Sequence, residues 1–229
     1  MSLEKTATTI KQLISKHGNL YSEQLGINIK NGDEKEIFKW FLASLLFGKR
    51  ISENIAVKTY WEFERADVLS PKAILAAGWD RLVKMLDTAG YVRYDFSTAT
   101  KLLEISKGLL TKYGEEPLTV IHKIAKNKKE LESILQSFKG IGPVTTNIFL
   151  RELRNVWKKA DPEPLPIVKM VAQRFNIALD RLNRKTEEFI RLEAALIRVR
   201  KTHLIKCPKC GADNQAGARF CGECGTRLE

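Results

Sequence analysis

Apolar residues recur at every third or fourth position along most of the chain. Ile37, Trp40, Phe41, Ser44 and Leu45 mark one such face, and Leu102, Leu103, Ile105, Leu109 and Leu110 another. No alternating apolar and polar pattern competes with this spacing before residue 204, so the region is predicted to be helical almost throughout. Glycine and proline cut it at Gly32, Gly48, Ser70-Pro71, Gly90, 114–117, 140–143 and 162–166, which predicts about ten helices. Ser70-Pro71 reads as an N-cap followed by a first-turn proline. The charge run 126–130 reads as a solvated helix start, and the last helix is predicted over 185–203. No internal repeat or low-complexity tract interrupts the pattern.

The periodicity stops at a Gly-rich tail, which holds all four cysteines as Cys207-x-x-Cys210 and Cys221-x-x-Cys224, each pair followed by glycine. Clustering in the last 23 residues, after 206 residues without a cysteine, argues against a disulfide framework. Two such pairs suit a tetrahedral thiolate site, because a tight knuckle turns both sulfurs of a pair toward one ion. The expectation is a small zinc ribbon over 204–229 beside a helical domain over 1–203. Four thiolates leave no open coordination position, so the Zn2+ is expected to be structural; a redox dithiol or an iron centre is the alternative. Lys206, Lys209 and Arg219 of the tail read equally as phosphate contacts and as solubilising surface charge.

Thirty-nine basic residues against 27 acidic ones give a formal charge of +12. A surplus of that size attracts polyanions, and it makes nucleic acid the leading partner over a generic basic protein; the hairpin at 138–151 narrows that expectation to double-stranded DNA. No apolar run reaches the roughly 18 residues that span a bilayer, and the N-terminus reads as an amphipathic helix rather than a signal peptide. The expectation is an intracellular, cytoplasmic and nucleoid-associated monomer that does not enter membranes.

Within the helical region, 135–150 joins one apolar helix to another through Gly140-Ile141-Gly142. Glycine at both ends of that turn allows left-handed dihedrals and close approach of the backbone to another surface, while Ile141 is expected to tuck inward. The following helix opens with free N–H groups, which suit a DNA phosphate. Lys139 before the turn, and Val144, Thr145 and Thr146 after it, complete the expected contact set over 138–151. A purely structural helix-helix turn is the alternative.

At this hairpin the chain resembles the helix-hairpin-helix DNA glycosylases related to endonuclease III, over roughly residues 34–203. Residues 41–46 resemble that family's first core helix ahead of its lesion-probing loop. The segment 86–90 resembles its turn before a long helix, 101–113 that helix, and 171–177 the helix after its catalytic aspartate. The resemblance implies an all-α, two-lobed fold and a reaction in which a damaged base is flipped out and its bond to the sugar is cut. Many relatives carry a four-cysteine iron-sulfur cluster after the last helix; the spacing here departs from theirs and favours zinc.

In that family an aspartate stabilises the cationic sugar, and some members add a lysine that forms a Schiff base. The lysine position is Val144 here, so the usual nucleophile is missing; Lys139 and Lys49 are the substitutes, each also readable as a phosphate or surface contact. Counting from the hairpin places the aspartate at Asp161, whereas aligning the later helix on Arg174 places Leu165 there. Asp161 is the expected residue on chemical grounds, with a helix N-cap as its other reading and Glu163 in reserve. Tyr91 or Tyr94 is expected to stack on an extruded base or to pack in the core, Arg93 to clamp a flanking phosphate, and Arg50 with Lys49 to fill the gap left by the flipped base. The leading reading is a base-excision DNA glycosylase, monofunctional or with a relocated lysine. The rivals are a DNA- or lesion-binding protein that keeps the fold without the chemistry, and a zinc-ribbon adaptor.

Overall fold

The computed structural model describes residues 3–200, 204–215, 218–221 and 223–228. In chain order, the helices among them are α1 (Leu3–His17), α2 (Tyr21–Gln24), α3 (Glu34–Phe47), α4 (Glu53–Arg65), α5 (Pro71–Thr88), α6 (Asp95–Tyr113), α7 (Pro117–Ile124), α8 (Lys128–Gln136), α9 (Pro143–Glu152), α10 (Pro166–Arg174) and α11 (Glu187–Val199). Two three-residue strands, β1 (Leu204–Lys206) and β2 (Asp213–Gln215), pair antiparallel with Ile205 opposite Asn214. The fold is therefore all-helical with a short ribbon at its end. The end of the helix predicted over 185–203 falls at 201–203, outside the described residues.

Packing divides the chain into two units, one made of Leu20–Glu163 and Arg184–Ile190, the other of Met1–Asn19, Pro164–Asn183 and Arg191–Glu229.

The first unit is organised around α3, whose residues from Ile37 to Leu46 are buried apart from Lys39. It packs on α4, α7 and α9, while α5 packs on α6 and on α4. Trp40, with no exposed surface, donates its indole N–H to the Phe149 carbonyl at 3.0 Å. Phe41 meets the Phe149 ring edge-on at 5.2 Å. Helix starts are set by short polar side chains: Asp33 accepts from the Lys35 and Glu36 amides, Asn127 from Glu130, and Ser70 from Ala73 with Pro71 in the first turn. Two further caps come from distant glutamates. Glu34 accepts from the Leu118 and Thr119 amides at the start of α7, and buried Glu152 accepts from Tyr21 and Ser22 at 3.0 Å each.

In the second unit, Ile10 and Leu13 of α1, Val168, Val171 and Ala172 of α10, and Leu192, Ala195 and Leu196 of α11 are buried, at the spacing of one helical face each. Arg191 donates to the Gly18 carbonyl, and Arg198 to those of His17 and Asn19. These guanidinium groups satisfy carbonyls that the end of α1 leaves without intrahelical donors.

Candidate nucleic-acid interface and metal centre

The hairpin is held against α6. Phe138 is buried, its ring facing Tyr113 at 6.3 Å with the Lys112 ammonium over it at 5.5 Å. A side chain at Gly108 would sit 3.1 Å from Phe138 Cε1, so a glycine on α6 admits the ring. Ile141 is buried as expected, and its amide donates to the Phe138 carbonyl at 3.0 Å. Gly140 has φ 105°, a conformation that L side chains rarely adopt. The Lys101 stem crosses it, with Cδ only 2.8 Å from where a Cβ would stand. Gly142 differs from the expectation of left-handed dihedrals at both glycines: its φ is −101° and its ψ 178°, ordinary extended backbone, with open space around a Cβ. The reason is its place as N-cap of α9, where extended dihedrals are the rule.

No side chain caps α9, and Pro143 occupies its first turn, so the Val144 and Thr145 amides have no intrahelical acceptor. Lys139 and Val144 are exposed; an apolar side chain thus stands at the surface where the resembling family has its lysine. Thr145 and Thr146 instead turn into the protein. Thr146 donates its hydroxyl to the Gly142 carbonyl at 3.1 Å, and Thr145 lies so close to Gly48 that any side chain there would collide with its Oγ1. Of the predicted contact set, Lys139 and Val144 are exposed, Gly140 and Gly142 are partly exposed, and Ile141, Thr145 and Thr146 are buried.

The Gly48–Thr145 contact draws the end of α3 to the hairpin. Lys49 follows it, half-buried, while Arg50 is exposed. Burial first, then the Lys101 charge, lowers Lys49 to about 8. Lys101 was not predicted as a site residue, because on sequence it is one lysine among many on a helix.

Asp161 and Glu163 lie on a loop fixed through its carbonyls. Lys185 donates to those of Trp157, Lys158 and Ala160, Arg154 to Pro162 at 2.7 Å, and Asn147 to Glu163 at 2.7 Å. Arg184 then grips both carboxylates, Asp161 at 2.7 Å and Glu163 at 2.6 Å. Lys128 lies 3.7 Å from Asp161 and 3.8 Å from Glu163, and the wholly buried Arg154 side chain has Nε 3.6 Å from Asp161. Lys128 opens α8, and the turn follows the other end of that helix. Leu165, the other register for the aspartate, stands at the N-cap of α10, where no side chain caps the helix.

Tyr91 is buried with its hydroxyl donating to the Leu46 carbonyl at 3.0 Å, so it packs in the core rather than offering a face to a base. Arg93 is exposed and lies over the half-buried Tyr94 ring at 5.5 Å. The accessible aromatics nearby are Trp79 and Phe96, 40% and 60% exposed and 5.4 Å apart, with the Trp79 indole N–H donating to Thr100. Sequence periodicity missed them, because an aromatic at helical spacing is ordinarily buried.

In the tail, the sulfurs of Cys207, Cys210, Cys221 and Cys224 all lie within 4.8 Å of one another. Cys207 to Cys224 and Cys210 to Cys221 are each 3.6 Å, against about 3.8 Å between sulfurs in a tetrahedron with 2.3 Å zinc-sulfur bonds. Gly211 and Gly225, at φ 72° and 69°, turn the two knuckles, and their amides return to the Cys207 and Cys221 carbonyls. The Cys224 and Glu223 amides, directed at the Cys221 sulfur, lower that thiol to about 6, which favours the thiolate a metal requires. Around the cysteines the small core consists of Leu228 with partly buried Ala212 and Ala218. The donors fit a metal ion such as zinc, which these four residues would hold.

Among the described residues no helix is long and apolar enough to cross a membrane. No curated protein matches the chain. Residues 204–229 match a family described as a domain of unknown function (DUF7577), a match that covers the four-cysteine tail.

Proposed function

We propose that this chain binds double-stranded DNA through the hairpin between α8 and α9 and acts in base excision, cutting the bond between a damaged base and its sugar. The observation that carries the reading is the turn itself. Gly140 holds a left-handed conformation, Ile141 anchors the turn from below, and the uncapped start of α9 presents amides beside Lys139. Such amides and the positive end of a helix dipole suit a phosphate oxygen. The resemblance to endonuclease III-like glycosylases and the +12 charge support the same partner. In the catalytic form of this reading Asp161, with Glu163 in reserve, stabilises the developing sugar cation, which requires Arg184 to release it when DNA is bound; Lys139 or Lys49 replaces the nucleophile absent at Val144. Zinc in the tail is structural.

A second reading is a DNA- or lesion-binding protein without the chemistry. It is favoured by the grip of Arg184, Lys128 and Arg154 on Asp161. Incubating the chain with duplexes that each carry one modified base, then treating with alkali, separates the two. Strand breaks at the modified site mark the enzyme, and salt-dependent binding without breaks marks the binding protein.

A further inference from the structure

We propose that Asn214 is a positioning residue of the metal centre, tying the two cysteine pairs together through its side-chain amide and holding the Cys221 sulfur in place for the ion. This rests on the zinc reading of the tail and is independent of the hairpin. Asn214 lies on β2, opposite Ile205 of β1, and is buried. Its Nδ2 donates to the Ala212 carbonyl at 2.8 Å and to the Cys221 Sγ at 3.4 Å. Both neighbours are acceptors and a primary amide carries two hydrogens, so the one nitrogen serves both. The Ala212 carbonyl also accepts from the Cys207 amide at 2.9 Å. An unbroken path of hydrogen bonds therefore runs from the first cysteine of one pair to the first cysteine of the other, and these two are the buried members of the set. Four thiolates around one divalent ion leave an excess of negative charge, here beside a small core of Leu228 with Ala212 and Ala218. A donor directed at a ligand sulfur offsets part of that charge and fixes the ligand's orientation. Asn214 supplies such a donor from the strand that lies between the two pairs in the chain.

The test uses the full chain and three variants. Asn214→Leu keeps the shape without a donor, Asn214→Ser is too short to reach the sulfur, and Asn214→Asp faces the sulfur with a like charge. Zinc affinity is measured by competition with a chromophoric chelator, and cobalt(II) in place of zinc reports the coordination by absorption. The leucine and serine variants should bind zinc about 10-fold more weakly than wild type, and the aspartate variant about 100-fold. At saturating cobalt, the leucine and serine variants should keep the visible bands of a tetrahedral site, while the thiolate-to-cobalt charge-transfer band moves to lower energy. A sulfur relieved of its N–H donor gives up electron density more readily, whereas a merely structural role would weaken binding without moving that band in the saturated site. Unchanged zinc affinity in both variants, or an unmoved charge-transfer band at saturation, overturns the proposal and leaves the metal centre standing. If leucine prevents loading, the serine variant decides, and loss of all cobalt loading in both marks a role in folding alone and overturns the orienting one. Failure of wild type to give the tetrahedral cobalt spectrum overturns the metal reading together with the role of Asn214.

Discussion

Single residues separate what the hairpin needs from what it tolerates. Gly140, at φ 105° and under the Lys101 stem, admits no side chain without strain, so Gly140→Val is expected to lose about 1–3 kcal/mol of stability through its backbone alone and to weaken duplex binding. Gly142→Ala, at an extended position with open space, should leave both nearly unchanged; denaturant titration of the two variants checks this, and equal losses would contradict the assignment of roles. The sequence marks both glycines alike, because a residue's type does not reveal which of two adjacent turn positions takes the left-handed angle. Asp161 is a second such case. Chain spacing makes it a catalytic candidate, while its surroundings are set by Arg184 and Lys128, which come from other parts of the chain. Asp161→Asn removes the charge facing the buried Arg154 and should cost about 1–3 kcal/mol of stability. In the glycosylase reading it should also abolish base release at temperatures where the variant is folded, while duplex binding persists. Full base release by Asp161→Asn would pass the role to Glu163.

At the level of elements, helix positions and starts were legible, because apolar spacing and Asp, Ser and Pro signals are local. The Ser70-Pro71 start of α5 and the helix start within 126–130 stand where the pattern puts them. Caps delivered from afar were not legible: Glu152 reaches the start of α2 across 131 residues of sequence, and Glu34 reaches α7 across 84. Burial raises the pKa of Glu152 above the usual 4.5. Between that value and its higher folded value the native state therefore holds more protons than the unfolded one, and this residue's contribution to stability falls as pH rises. Glu152→Gln should flatten that part of the thermal midpoint's pH dependence above 4.5. A pH profile identical to wild type would show that the buried carboxylate is not the source. The Lys101 and Gly108 contacts that seat the hairpin on α6 were likewise hidden, since helix packing pairs residues whose sequence separation carries no local sign.

For the whole molecule, the metal centre was the most legible feature, because its chemistry lies in the spacing of four cysteines, and the geometry brings those sulfurs together. The division into two units was illegible, since it joins both chain ends to 164–183 and depends on packing across long separations. The tail's core is too small to hold it folded alone. Chelation should therefore unfold residues 204–229, seen as new protease cleavage there, while the helical signal in circular dichroism is kept; elemental analysis should find one zinc per chain. Retained protection after metal removal would contradict a metal-dependent ribbon. The activity is tested most directly by the panel of duplexes with single modified bases, followed by alkali. The account predicts strand breaks at one class of modified base, dependent on Asp161 or Glu163 and lost when Gly140→Val removes binding. Salt-dependent binding with no breaks on any duplex in the panel would contradict the glycosylase reading and leave a DNA-binding protein.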